Sequence, residues 1–370
     1  MTSRGNEGPI DLLILSPTIS PPPGGVQRVT EDITLAFADR RVRVIGVSAE
    51  SSTDPRIRVV RQWPGKLGQA ITLMRYFAVA AAELRKQPRL VQAMTWRAAL
   101  PILLVGRRTP MVLFCHGAEL IRTKGGSVAA RLRRMVLRRA DAVVANSQYT
   151  AGLVREVGGR DVTLTHPPLR ALPAAVAARS DGGQPVRILS VGRFVANKGH
   201  DRLVRVMAEV RARGANATAT IAGTGPNESE LRRLVDELGL ADTVTFVVAP
   251  SDAELAQLYR DADVFALLST PVAGEVEGWG IVFLEAAGYG LPVVAGKSGG
   301  AAEAVENGVT GVVVDDDAQA VEALMTFASD ADRRRTFGDA GRARVTRFLL
   351  PEFRAALDGV YAAVGRGERL

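Results

Sequence analysis

Residues suited to metal binding or redox chemistry are scarce in this sequence of 370 residues, which holds a single cysteine, Cys115, and three histidines, His116, His166 and His200. One cysteine rules out an internal disulfide and a thiolate metal cluster. So few dispersed histidines give little basis for a zinc site. Long apolar runs are missing too. The stretch from Ala98 to Val105 contains Pro101 and stops at Gly106 and two arginines, short of the ~20 residues a spanning helix needs. Near the N-terminus Arg4 is followed by Gly, Asn and Glu instead of an apolar core, so no signal peptide is expected and the expected location is the cytoplasm. No low-complexity block suggests disorder. What is present, 47% hydrophobic and 23% charged residues, is the composition of a globular protein. The length suits two domains of roughly 170 to 190 residues each.

Acidic residues are short in one half only. The net charge is +8, yet from Arg56 to Arg139 there are 18 lysines and arginines against two acids, Glu83 and Glu119, a net of +16 that leaves the remainder at −8. A basic half joined to an acidic half points to a polyanionic partner, an anionic membrane or a nucleic acid. The basic stretch lacks interleaved aromatics and nucleic-acid motifs, so a nucleic-acid partner is not expected.

Strand and helix signals alternate from the start, which predicts α/β layers on parallel sheets. Ile10 to Ser16 reads as the first buried strand, followed by the loop Ser20-Pro21-Pro22-Pro23-Gly24-Gly25 and a helix from about Val26 to Asp39. Gly24 and Gly25 thus open a helix after a strand, a geometry that admits a phosphate. Further strands are expected at Val42 to Ser48, Ile57 to Arg61, Arg89 to Ala93 and Met111 to Cys115, with an amphipathic helix from Leu67 to Lys86. His116-Gly117-Ala118-Glu119 falls where a strand ends, the usual place for function in an open parallel sheet. The Ala, Pro and Gly stretch after Pro167-Pro168 reads as a linker.

The second half opens with the strand Val186 to Val191 and then Gly192-Arg193-Phe194-Val195-Ala196-Asn197-Lys198-Gly199. Arg193 and Lys198 stand where cations would meet a diphosphate. Gly223-Thr224-Gly225-Pro226 follows another strand and is too short for a dinucleotide fingerprint. The segment from Gly274 to Gly300 carries two carboxylates, Glu277 and Glu285, around a helix expected to begin near Trp279. The first N–H groups of such a helix, at Gly280, Ile281 and Val282, lack internal partners and sit at the positive end of its dipole, which makes a diphosphate seat. Glu277 cannot usefully bind that anion and is suited to sugar hydroxyls, and Glu285 to a ribose. Asp315-Asp316-Asp317 is read as a helix cap and not a metal site.

These motifs together resemble the family 4 retaining glycosyltransferases over nearly the whole chain, and most of all their phosphatidylinositol mannosyltransferase branch. The resemblance implies a GT-B fold, α/β with two Rossmann-like domains facing an interdomain cleft. An acceptor-side domain over residues 1–168, a linker over 169–184 and a nucleotide-sugar domain over 185–351 are expected, with 352–370 crossing back to the first. In the resembled family Glu277 takes the place of the glutamate on the donor sugar, Glu285 that of the ribose-binding glutamate, and His116 that of a histidine near the reacting carbon. Gly24 and Gly25 would face the donor diphosphate, Arg193 and Lys198 would neutralise it as it leaves, and Gly223 would lie near the nucleotide. Many mannosyltransferases of the branch carry a second histidine where this chain has Ala118.

The implied reaction is transfer of a hexose, with mannose from GDP-mannose preferred, to a lipid-linked or small-molecule acceptor. It retains the α-linkage and needs no metal or cofactor, on a protein placed peripherally at the cytoplasmic membrane face. A UDP-sugar donor with a soluble acceptor is the alternative. Nucleotide-sugar epimerases and phosphorylases share the architecture, and a pyridoxal phosphorylase would need a cofactor lysine that is not identifiable. A nucleic-acid-binding protein is the remote alternative.

Overall fold

A computed structural model of the chain describes residues 10–19, 24–106, 108–121, 127–158, 160–174, 183–272 and 276–370. The chain divides into two compact units, Met1–Pro168 with Leu350–Leu370, and Leu169–Leu349.

The first unit alternates strands and helices: β1 (Leu12–Leu15), α1 (Gly25–Ala36), β2 (Val42–Ser48), β3 (Ile57–Arg61), α2 (Gly65–Leu84), β4 (Leu90–Ala93), α3 (Leu100–Leu104), β5 (Met111–Cys115), α4 (Ala118–Ile121), α5 (Val128–Arg139), β6 (Ala142–Ala145), α6 (Gln148–Gly158) and β7 (Thr163–Leu164). Its seven strands form one parallel sheet in the order β3-β2-β1-β4-β5-β6-β7. Strands covered on both faces need apolar residues in continuous runs. β1 is such a run, Leu-Leu-Ile-Leu, wholly buried. Its side chains alternate between two cores: Leu13 and Leu15 enter one, and Leu12 and Ile14 the other, as the period of two requires.

The second unit repeats the plan with β8 (Val186–Val191), α7 (His200–Ala212), β9 (Ala217–Gly223), α8 (Glu228–Glu237), β10 (Val244–Val248), α9 (Asp252–Asp261), β11 (Val264–Leu267), α10 (Ile281–Gly288), β12 (Val293–Gly296), α11 (Ala301–Ala304), β13 (Gly311–Val314), α12 (Asp317–Ser329) and α13 (Ala331–Val345). Six parallel strands run in the order β10-β9-β8-β11-β12-β13. In each sheet the strand order reverses beside the first strand, between β1 and β4 and between β8 and β11. Open α/β sheets bind ligands at that place, beyond the carboxyl ends of the strands.

The last helix, α14 (Leu350–Gly365), belongs to the first unit. Phe353, Leu357, Val360, Tyr361 and Val364 recur at helical spacing and enter the core that holds Leu12 and Ile14. The Tyr361 ring lies 5.1 Å from that of Phe37, and its hydroxyl donates to the buried Gln92 side chain at 3.0 Å. Leu169, within the stretch expected to be a linker, is buried at 6% exposure and bridges Leu349 in the second unit. The expected amphipathic helix forms as α2, but its outer side mixes exposed Lys66, Gln69 and Arg75 with exposed apolar residues. Leu67, Leu73 and Met74 are 77%, 56% and 64% exposed.

Candidate active site

The geometry at the carboxyl ends of β8, β11 and β12 starts from glycine. Gly280 adopts φ +76° and caps α10, which therefore begins at Ile281 and not near Trp279. A left-handed residue cannot continue a helix, and glycine takes that conformation without steric cost. A Cβ on Gly280 would also press on the Phe283 ring at 2.6 Å. Trp279 is instead held in the core, 3% exposed, with its ring 5.6 Å from that of Phe348. α10 has no side-chain cap, so its opening N–H groups are left for a ligand.

Glu277 lies just before this helix start. Its backbone is tied to the β12–α11 loop, the N–H donating to Ser298 Oγ at 3.3 Å and the carbonyl accepting from Gly300 N–H at 2.8 Å. Its side chain forms an ion pair with Lys198, which sits on a single 3-10 turn, Ala196–Lys198, after β8. Arg193, five residues earlier, is exposed and makes no ion pair among the described residues. Gly223 ends β9 against this loop, where a Cβ would collide with the Gly192 carbonyl. The strand ends thus interlock through backbone, and Lys198, Glu277 and the start of α10 are brought together. Gly274 and Glu275 lie outside the described residues.

Glu285 is on α10 itself and accepts a hydrogen bond from the Tyr259 hydroxyl at 3.0 Å. Tyr259 is 2% exposed, and its ring stacks on Tyr289 with centroids 5.2 Å apart. Sequence reasoning missed Tyr259, which sits on α9 in what reads as an ordinary amphipathic pattern. Only the fold shows that its hydroxyl is buried and needs a partner, so the local sequence carried no signal for it. Ser298 was seen only as part of a loop.

In the first unit His116 directly follows β5. Its backbone N–H donates to Glu119 Oε1 at 2.7 Å, and its carbonyl accepts from Asn146 Nδ2 at 3.4 Å. Burial pushes the imidazole pKa down to about 4, opposed by a hydrogen bond to the Met94 carbonyl, so the ring is neutral at physiological pH. Its Nε2 is buried without a hydrogen-bond partner among the described residues. Burial raises the Glu119 carboxyl, while the N–H groups of His116, Glu119 and Gly117 draw it back. Gly24 caps α1 and Gly25 is its first residue, again with no side-chain cap. The Ser20 to Pro23 part of that loop lies outside the described residues.

The three consecutive aspartates each have another task. Asp316 caps α12 by accepting from Gln319 N–H at 2.8 Å, Asp315 pairs with Lys297 at 3.0 Å and Asp317 with Arg202 at 2.6 Å. Among the described residues no group of three or more His, Cys, Asp and Glu side chains could hold a metal ion. No helix among them is long and apolar enough to cross a membrane.

Two doubly wound parallel sheets, one carrying a cation and two carboxylates around an uncapped helix start, are the architecture of a GT-B glycosyltransferase. The family model for glycosyl transferases group 1 matches residues 178–344, and that for glycosyltransferase family 4 matches residues 23–169. A GDP-mannose-dependent alpha-(1-6)-phosphatidylinositol monomannoside mannosyltransferase of Mycobacterium tuberculosis is 36% identical over 280 residues, covering 69% of this chain and 71% of that one. A GDP-mannose-dependent monoacylated alpha-(1-6)-phosphatidylinositol monomannoside mannosyltransferase of Corynebacterium glutamicum is 29% identical over 365 residues, 90% of this chain and 92% of that one. The crystal structure of Anabaena Alr3699/HepE with UDP and glucose superposes with a TM-score of 0.75 at 22% identity, covering 95% of this chain and 99% of that chain. The chain belongs to glycosyltransferase family 4. It is a hexosyltransferase.

Proposed function

We propose that the protein transfers a mannosyl group from GDP-mannose to a lipid-linked, phosphatidylinositol-type acceptor at an anionic membrane surface, retaining the α-linkage. The meeting of Lys198 with Glu277 before the uncapped start of α10 carries the reading. Donor and acceptor classes are those named for the mycobacterial and corynebacterial relatives.

In this reading the N–H groups of Gly280, Ile281 and Val282 and the cations of Arg193 and Lys198 receive the diphosphate. Gly24, Gly25 and Gly223 leave room for its approach. Charge placed where negative charge develops stabilises the transition state without reorganisation. Glu277 accepts from hydroxyls of the transferred sugar, Glu285 from the ribose, and His116 offers a neutral ring to the sugar near the reacting carbon. The acceptor oxygen bonds to the anomeric carbon as the bond to the phosphate oxygen breaks, and that departing oxygen takes the acceptor proton. Neither a metal ion nor a cofactor is invoked.

Support for the membrane surface comes from the outer side of the basic half. Helical spacing puts Arg131, Arg134 and Arg138 on one face of α5 with Leu132, Met135 and Val136 turned elsewhere; the three arginines are exposed, but Met135 is 54% exposed beside them. Val128 on the same helix is 72% exposed. Cations with exposed apolar side chains suit an anionic interface. Two of the five arginines in this stretch serve the fold instead: Arg133 is buried and donates to the Leu120 carbonyl at 2.6 Å, and Arg139 pairs with Asp141 at 3.2 Å.

Calorimetry against GDP-mannose, GDP-glucose, UDP-glucose and UDP-N-acetylglucosamine tests the donor. Transfer of labelled mannose to phosphatidylinositol mannosides in liposomes tests the acceptor. Binding of GDP-mannose with lipid-linked product is the expected result. Exclusive binding of a UDP-sugar overturns the donor assignment, and turnover only on water-soluble acceptors overturns the lipid assignment.

A further inference from the structure

We infer that Tyr259 is a positioning residue for Glu285, and that through this contact the protein demands an intact ribose on its nucleotide; the inference rests on the reading of Glu285 as the ribose contact. Packing alone does not call for a tyrosine at this place. The ring packs against Phe265, 6.0 Å away, and Tyr289, 5.2 Å away and parallel within 6°. A phenylalanine would fill the same space. What the tyrosine adds is a hydroxyl, and its one proton is donated to Glu285 Oε2 at 3.0 Å.

The contact joins two helices across 26 residues of sequence. Glu285 has three rotatable side-chain bonds, and a carboxylate free to swing would hold a ribose hydroxyl poorly. Tyr289 follows α10 directly as its C-cap, so the ring stacked on Tyr259 comes from the element that carries Glu285. The stack sets the phenol, and the phenol sets the carboxylate. A site built to hydrogen-bond a hydroxyl rejects an analogue lacking it far better than an apolar pocket does, because its buried polar groups are left unpaired.

The test measures affinity of the full-length protein for GDP and UDP and for their 2′-deoxy and 3′-deoxy counterparts, in wild type, Tyr259→Phe, Glu285→Gln and the double variant. Wild type is expected to prefer a ribonucleotide over at least one deoxy counterpart by at least about tenfold. Tyr259→Phe, which keeps the stacked ring, should shrink that ratio by about threefold or more while the preference between guanine and uracil stays as in wild type. The double variant should match Glu285→Gln. A uniform loss for all nucleotides with the ribose ratio intact would mean a merely structural tyrosine and overturn the inference. If Glu285→Gln abolishes the ratio and Tyr259→Phe does not, the inference fails and the reading of Glu285 survives. An unchanged ratio in both single variants removes the two together.

Discussion

Lys198 and Glu277, 79 residues apart in the chain, neutralise each other in an ion pair whose side chains are only 16% and 12% exposed. In the proposed reaction each has a different partner waiting, the diphosphate for Lys198 and the sugar hydroxyls for Glu277. A donor must therefore part them. Removing the glutamate frees the lysine for phosphate, so Glu277→Gln is expected to bind nucleoside diphosphate about threefold to tenfold more tightly while its transfer rate falls sharply. Lys198→Ala and Glu285→Ala should each weaken the same binding. Calorimetry with GDP and initial-rate assays check this. Unchanged nucleotide affinity in all three variants would remove the assignment.

Breaking a largely buried ion pair from one side leaves an uncompensated charge, which costs more than removing both. Lys198→Ala is expected to lower stability by about 2 kcal/mol or more, and adding Glu277→Ala should recover part of that loss. Urea melts of the two single variants and the double variant measure the coupling. Strict additivity would mean that the pair contributes nothing to the fold.

Chelation should leave transfer intact. Asp315, Asp316 and Asp317 are engaged with Lys297, Gln319 N–H and Arg202, and in the proposed reaction Arg193, Lys198 and the start of α10 meet the diphosphate charge. Activity measured after EDTA treatment and gel filtration checks this. A loss restored by magnesium or manganese would make the aspartate run the first place to look for ligands.

His200 is 2% exposed, and burial, aided by the charge of Lys198, pushes its pKa down to about 4 from the ordinary 6.5. The folded pKa lies below the unfolded one, so protons bind the unfolded chain more readily as the pH falls. The stability held above about pH 6.5 is lost progressively toward pH 4, by about 2 kcal/mol at pH 5 for this one residue. His116 adds a loss of the same sign. His200→Gln should therefore show a smaller fall in stability between pH 7 and pH 5 than wild type. Equal falls in chemical denaturation at the two pH values would contradict the assignment.

Strand positions were legible from short runs rich in apolar and β-branched residues, and Val42–Ser48, Ile57–Arg61, Met111–Cys115 and Val186–Val191 begin and end where those runs do, including the edge strand Ile57–Arg61, where Arg58 and Arg61 are exposed. The start of α10 was misplaced by two residues, because only the backbone reveals that Gly280 is left-handed and that Trp279 belongs to the core. The membership in family 4 was legible from Glu277, Glu285, Arg193 and Lys198 taken together with their glycines. The pairing of Lys198 with Glu277 and the hold of Tyr259 on Glu285 were not. Each joins side chains far apart in sequence, and no local period reports such a contact. Met135 shows the same limit on α5: spacing cannot say which residues a neighbouring helix covers.

Docking on an anionic surface makes the final prediction. Arg131, Arg134 and Arg138 are exposed on α5, with Met135 and Val128 exposed between and before them. Each cation near an anionic bilayer contributes about 1 kcal/mol, and the attraction falls away within a Debye length. Three such charges lost together should cost about 3 kcal/mol, or roughly a hundredfold in partitioning. Wild type is expected to co-sediment with liposomes containing phosphatidylinositol and to be released by added salt. The triple variant of Arg131, Arg134 and Arg138 to Ser should stay in the supernatant with its nucleotide affinity unchanged, since none of the three lies in the second unit. Met135→Ser tests the apolar share separately: it should weaken binding without altering its salt dependence. Equal recovery of wild type with neutral and anionic liposomes would dismiss the membrane surface, and the basic half would then be a solvated face on an enzyme with a soluble acceptor.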